Sequence, residues 1–146
     1  MKVYVWVGLV LLVSPGVAQA QGEAWWELNS QAVSLYRAEH YPEALEKAKE
    51  ALTQANAVFG VEHPSVATAL NNLAAIYQAL GEYEEAEPLY QKALNIDEKV
   101  LGEDHPNTAA DQDNIEQLQR DKAESQALPP TGQDSTPEPF SDAPTQ

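Results

Sequence analysis

The feature that most constrains this chain is that it repeats itself. His63-Pro64 recurs as His105-Pro106, an offset of 105 − 63 = 42 residues. The same offset carries Asn29 onto Asn71, Ala32 onto Ala74, Tyr41 onto Tyr83 and Glu43 onto Glu85. It also carries Ala44 onto Ala86, Ala51-Leu52 onto Ala93-Leu94, Val58 onto Val100 and Gly60 onto Gly102. Agreement at so many positions means that one supersecondary unit is used more than once. A unit of this size cannot bury its apolar face alone and must stack on its neighbours.

Each unit reads as two helices. Val66, Leu70, Leu73, Ala74 and Tyr77 follow the spacing of one helix face. Pro64 suits the first turn, where its missing N–H costs nothing. Ala86, Leu89, Tyr90, Ala93, Leu94 and Ile96 form the inner face of a second helix starting near Glu82. Its early glutamates complement the helix dipole, and Gly102 is read as a left-handed stop. The first unit repeats the plan at about 24–39 and 42–58, and a fifth helix runs from about Pro106 to Lys122. In that helix Gln112 replaces Leu70 and Glu116 replaces Ala74, so a face that is apolar in the second unit turns polar. Solenoids end in such a cap. The expected fold is all-α: an α-solenoid of antiparallel helix pairs, with repeats at about 24–62 and 63–104 and a cap at 105–123.

The flanks follow other rules. Lys2, the apolar run Val3 to Val13, the helix-breaking Ser14-Pro15-Gly16 and the small residues of Ala18-Gln19-Ala20 form a signal-peptide pattern over residues 1–20. Eleven apolar residues are too few to span a bilayer, which takes about 20. Cleavage is expected after Ala20, giving a secreted or periplasmic protein with no stable membrane anchor. From 124 to 146 the chain carries Pro129, Pro130, Pro137, Pro139 and Pro144 among polar residues, the composition of a disordered tail.

Composition excludes most chemistry. Lys and Arg number 8 against 23 Asp and Glu, a net charge of −15, which opposes nucleic-acid binding. With no cysteine there is no disulfide, thiolate metal site or thiol nucleophile. Of the three histidines, His63 and His105 each precede a proline at a helix start, and Asp104 beside His105 makes no convincing acid–base pair. Glu82, Glu84, Glu85 and Glu87 read as a solvated face without a calcium-loop pattern. No cofactor, metal or catalytic residue is expected.

Leu70-x-x-Leu73-Ala74-x-x-Tyr77, followed by Gly81-x-Tyr83-x-x-Ala86-x-x-x-Tyr90-x-x-Ala93, resembles the tetratricopeptide repeat. The longer period, Asn71-Asn72-Leu73-Ala74 and Leu101-Gly102-x-x-His105-Pro106 resemble its kinesin light chain subtype. The first unit departs from the pattern, with Gln31 where an apolar residue is usual and Glu39 where glycine is usual.

The resemblance implies that the first helix of each unit lines a concave groove that binds a protein or peptide. It places Trp26, Asn29, Ser30, Val33, Tyr36 and Arg37 there, then Thr68, Asn71, Asn72, Ala75, Gln78 and Ala79, then Ala110, Asp113, Asn114 and Gln117. The candidate partner-binding residues are Asn72, Asn114, Asn71, Asn29, Gln78, Tyr36, Arg37 and Trp26. Asn72 and Asn114 are equivalent, since 114 − 72 = 42, and are expected to face solvent and bond a peptide backbone. Arg37 is the one basic candidate, so a carboxylate clamp is not expected, and the acid excess is placed mostly on the second helices, away from the groove. Trp25 and Trp26 read either as a lid over the solenoid end or as an exposed anchor. The functional expectation is an exported adaptor or scaffold. Its alternative is a structural subunit of an envelope or secretion assembly, held through the convex face or the end helices. Two repeats and a cap fall short of the usual three, so self-association is a further expectation.

Overall fold

A computed structural model describes residues 15–127, with side chains from residue 22 onward. It contains five helices: α1 (Pro15–Arg37), α2 (Tyr41–Phe59), α3 (Pro64–Ala79), α4 (Tyr83–Leu101) and α5 (Pro106–Ala127). Each helix packs on the next, and α1 also meets α3. Connections of three or four residues force consecutive helices to run antiparallel. The described residues form an all-α solenoid.

Alanine makes the close packing possible. Ala32, Ala44, Ala48, Ala51 and Ala55 are buried between α1, α2 and α3, and Ala74, Ala86 and Ala93 repeat this one unit on. Larger side chains fill the wider gaps. Leu70, Val66 and Ile96 share a cluster with Trp25, while Tyr90 and Leu118 join Ala74 and Ala86 under the cap. Leu118, with Ile115 beside it, supplies the apolar contact that seats α5, otherwise a polar helix, on the second repeat.

The repeated punctuation has a repeated cause. Nδ1 of His63 accepts from the Ser65 backbone N–H at 3.1 Å, and Nδ1 of His105 accepts from that of Asn107 at 3.1 Å. Both histidines cap donors that a helix start leaves unpaired, which is the structural role expected of the His-Pro pair. Gly102 adopts φ 97°, ψ 162° and Gly60 φ 85°, ψ 160°. This is not the left-handed helical stop expected for Gly102 but a region essentially restricted to glycine. Within each unit the helices are joined by a true left-handed residue, Gly81 at φ 78° and Glu39 at φ 60°. The same wrap-around bonds close both turns: Glu82 N–H to Tyr77 C=O at 2.9 Å, and His40 N–H to Leu35 C=O at 3.0 Å.

Two boundaries differ from expectation. Helix α1 begins at Pro15 rather than near residue 24, so Pro15 and Gly16 form its first turn instead of breaking it. Proline is tolerated at a first helical position, and Ala18 and Ala20 favour the helix that follows. Helix α5 continues through Ala127, so Glu124–Ala127, assigned to the tail, are helical. The apolar run of the signal-peptide pattern and the proline-rich segment from 128 lie outside the described residues. Among the described residues no helix is long and apolar enough to cross a membrane.

Candidate peptide-binding groove

The first helices of successive units meet along one face at two junctions. At the first, α1 meets α3. The Asn72 amide donates from Nδ2 to Oδ1 of Asn29 at 2.8 Å, and Asn29 is only 7% exposed. Beside this pair lies a pocket of about 200 Å³, lined by Ala32, Val33, Tyr36, Arg37, Asn72, Ala75 and Ile76. Its walls are largely apolar, with Tyr36 exposed at the edge and leaning on Tyr41 at a ring separation of 5.8 Å.

At the second junction α3 meets α5, with α4 behind. A pocket of about 240 Å³ is lined by Thr68, Asn71, Asn72, Asp97, Asn107, Ala110, Asp111 and Asn114. Its two acids are buried, Asp97 at 2% exposure and Asp111 at 1%. Asn71 donates from Nδ2 to Oδ1 of Asp111. Asp111 Oδ2, Asp97 Oδ1 and Asn71 Oδ1 have no partner. Burial is the main force pushing the Asp111 carboxyl up to about 6. The bond from Asn71 opposes that rise, and repulsion from Asp97 and Glu98 adds to it. Burial also raises Asp97, against the stabilising effects of Asn107 and His105. Further along the same face, Gln78 donates from Nε2 to Oδ2 of Asp121 at 2.5 Å and accepts from the Tyr90 hydroxyl at 3.0 Å.

The expected groove residues divide accordingly. Tyr36, Arg37 and Asn72 meet at the first pocket, and Asn71, Asn72 and Asn114 at the second. The amides of Asn29, Asn71 and Gln78 make bonds within the chain. The expectation that Asn72 faces solvent is corrected: it is half-buried and its N–H is taken by Asn29. The tryptophans split. Trp25, 9% exposed, meets Phe59 edge-on at 5.5 Å, and Phe59 stacks on His63 at 4.8 Å, so Trp25 is the lid. Trp26 is 60% exposed and lines neither pocket.

Asp97 and Asp111 were not among the expected site residues. Asp97 is an exception to the placing of most of the acid on the second helices away from the groove, because α4 turns it inward to the second pocket. The 42-residue offset holds the signal that finds them. It puts Asp97 where the first unit has Ala55, and Asp111 where the second has Ala69, both buried alanines. Among the described residues no three His, Asp or Glu side chains are arranged to hold a metal ion.

The sequence profile of the tetratricopeptide repeat matches residues 22–99 and 65–128, together most of the chain. The chain belongs to the tetratricopeptide repeat family, whose repeats generally mediate protein–protein interaction. No curated protein sequence matches it. Among solved structures it is similar to BtubC (BKLC) from P. vanneervenii, with a TM-score of 0.56 and 22% sequence identity. The likeness covers 82% of this chain and 58% of that one, so this chain spans less than two thirds of that protein's length, and what the two share is the fold.

Proposed function

We propose that this protein is a non-enzymatic adaptor that holds an extended peptide segment of a partner protein in its concave groove. The observation that carries this reading is the apolar pocket between α1 and α3, whose walls come from residues of the groove face. An open apolar recess rimmed by a tyrosine, an arginine and an amide suits one aliphatic or aromatic side chain with hydrogen bonds beside it. The 42-residue period and the His-Pro signature support a kinesin light chain-like subtype of the repeat. Export, with the mature chain beginning at Gln21, is part of the proposal and rests on the pattern of residues 1–20. Intact-mass measurement of the natural product tests it, and a species keeping Met1 to Ala20 overturns it.

The groove is tested with Ala75→Trp. Ala75 is partly exposed in the pocket wall, so an indole there fills the recess without entering the core. The variant should melt like the wild type and lose binding to peptides selected on the wild type from an immobilised library. A folded variant that binds them unchanged removes the groove from consideration. The reading of an assembly subunit, held through the convex face or the end helices, then replaces it.

A further inference from the structure

The two pockets share a wall, Asn72, but offer a peptide opposite chemistry. The second ends in three buried oxygens without a donor, on Asp97, Asp111 and Asn71, and no lysine or arginine lines it. All three are acceptors and two belong to carboxylates. Each buried acceptor left unpaired keeps the desolvation cost of burial with no bond to offset it. A donor-rich cation entering from the groove relieves that cost and neutralises the acids.

We propose that the second pocket receives the basic side chain of a bound peptide whose neighbouring apolar residue occupies the first, so that the groove selects an apolar residue and an arginine or lysine two positions apart. This deepens the peptide-binding reading and rests on it. In an extended segment residues i and i+2 point to the same side about 7 Å apart, so one segment can present both side chains to the face that carries the two pockets. Arginine fits better than lysine, because its planar fork carries five donors and is weakly hydrated. Arg37 beside the first pocket repels a basic residue there and so helps fix the register. The acids are faced by Asn71 of α3, by Glu98 of α4, and by His105 ahead of α5. None of these supplies a fixed positive charge. A guanidinium displaces the proton that buried Asp111 retains, so binding should strengthen as pH rises through about 6.

The test uses the intact protein and a positional-scanning library of N-acetylated, C-amidated octapeptides, read by fluorescence polarisation at pH 7.5. The best arginine peptide is compared with its twin carrying citrulline, the neutral isostere. Wild type should prefer arginine on the order of tenfold. Asp97→Asn with Asp111→Asn, which keeps the shape and the acceptor for Asn71, should abolish the preference while retaining the apolar one. Glu43→Gln with Glu46→Gln removes the same charge from exposed positions on α2 and should leave the preference intact. Equal binding of the twins by wild type overturns the inference and leaves the peptide-binding reading standing. A preference that survives in the double aspartate variant also overturns it, by tracing the effect to net charge. Calcium chloride that raises the melting temperature of wild type but not of that variant, with no arginine preference, assigns the pocket to a metal ion instead. If no library member binds, the peptide-binding reading itself fails.

Discussion

The two junctions of the groove are built on the same backbone plan 42 residues apart, yet one is closed with alanine and amide and the other with acid. At the first, Ala55 and Ala69 cluster with Trp25, whose buried Nε1 has no partner, and the Asn72 amide bonds Asn29. At the second, Asp97 and Asp111 stand at the matching positions, and one buried oxygen of each, Asp97 Oδ1 and Asp111 Oδ2, is left without a partner. Among the described residues the first junction holds no buried carboxylate, and what it leaves unpaired is neutral: the Trp25 Nε1 and the Asn56 Oδ1. The second keeps unmet electrostatic demand at the edge of the groove, and such departures from local consistency concentrate at functional sites.

The sharpest way to break the comparison is to move the acid. Ala69→Asp gives the first junction the carboxylate of the second without its amide partner. Ala69 is buried beside Leu70 and Trp25. The substitution should cost about 3–5 kcal/mol, because an uncompensated charge replaces a methyl group. Urea unfolding at pH 7.5 measures this. A loss below about 1 kcal/mol would mean that both junctions tolerate charge and that their difference is not structural.

The next effect is a pH dependence. The folded Asp111 carboxyl titrates near 6, against an ordinary value of 3.8. Between those values the folded chain holds a proton that the unfolded chain has released. Stability from this group is therefore fully present below about pH 3.8 and is lost as the pH rises through about 6, by on the order of 2–3 kcal/mol. The raised Asp97 acts in the same direction. Asp111→Asn should flatten this part of the stability profile and stabilise the chain at pH 7.5 relative to wild type. Equal slopes for the two proteins between pH 4 and 7 would place Asp111 in water rather than in the pocket wall.

Asn72 and Asn114 sharpen the contrast further, since they occupy one repeat position with different surroundings. Asn72→Ala removes the donor to buried Asn29 and should cost about 1–3 kcal/mol. Asn114 lines the second pocket without a comparable side-chain bond among the described residues, and Asn114→Ala should change stability by less than about 0.5 kcal/mol. Melting curves of the two variants, run together, decide this. Equal losses would show that the first amide ladder is not distinctive.

Much of the fold could be read from the chain itself. The 42-residue offset, the apolar face from Val66 to Tyr77 and the His-Pro pairs locate α2 to α5 within a few residues, because each is a local signal with a local cause. The start of α1 was obscured because a cleavage-site pattern and a helix start both use Pro, Gly and Ala. The groove was legible as a face but not as a set of bonds. Spacing places Asn29, Asn71, Asn72 and Gln78 on that face. Whether an amide points to solvent or across to the next helix depends on a neighbour some 40 residues away, and periodicity carries no information about that contact. The offset sets Asp97 on the inward register of buried Ala55, but periodicity does not show that its Oδ1 is left without a partner there.

The smallest expected effect concerns the turns within the units, where the comparison shifts from the junctions to the backbone. Gly81 and Glu39 occupy the same left-handed position and close the same wrap-around turn. Glycine meets no steric penalty there, whereas a residue with a Cβ pays roughly 1 kcal/mol. Nothing lies within 4 Å of a Cβ placed on Gly81, so conformation rather than crowding sets the difference. Glu39 is exposed, and among the described residues its side chain makes no hydrogen bond or ion pair that would offset the strain. Glu39→Gly should therefore stabilise the first unit by about 0.5–1 kcal/mol, reduced by the entropy that glycine returns to the unfolded chain. The reciprocal Gly81→Ala should destabilise the second by a similar amount. Urea midpoints for the two variants should move in opposite directions. If both fall, the first turn owes its shape to tertiary contacts rather than to the residue at its apex, and the two units do not share one turn.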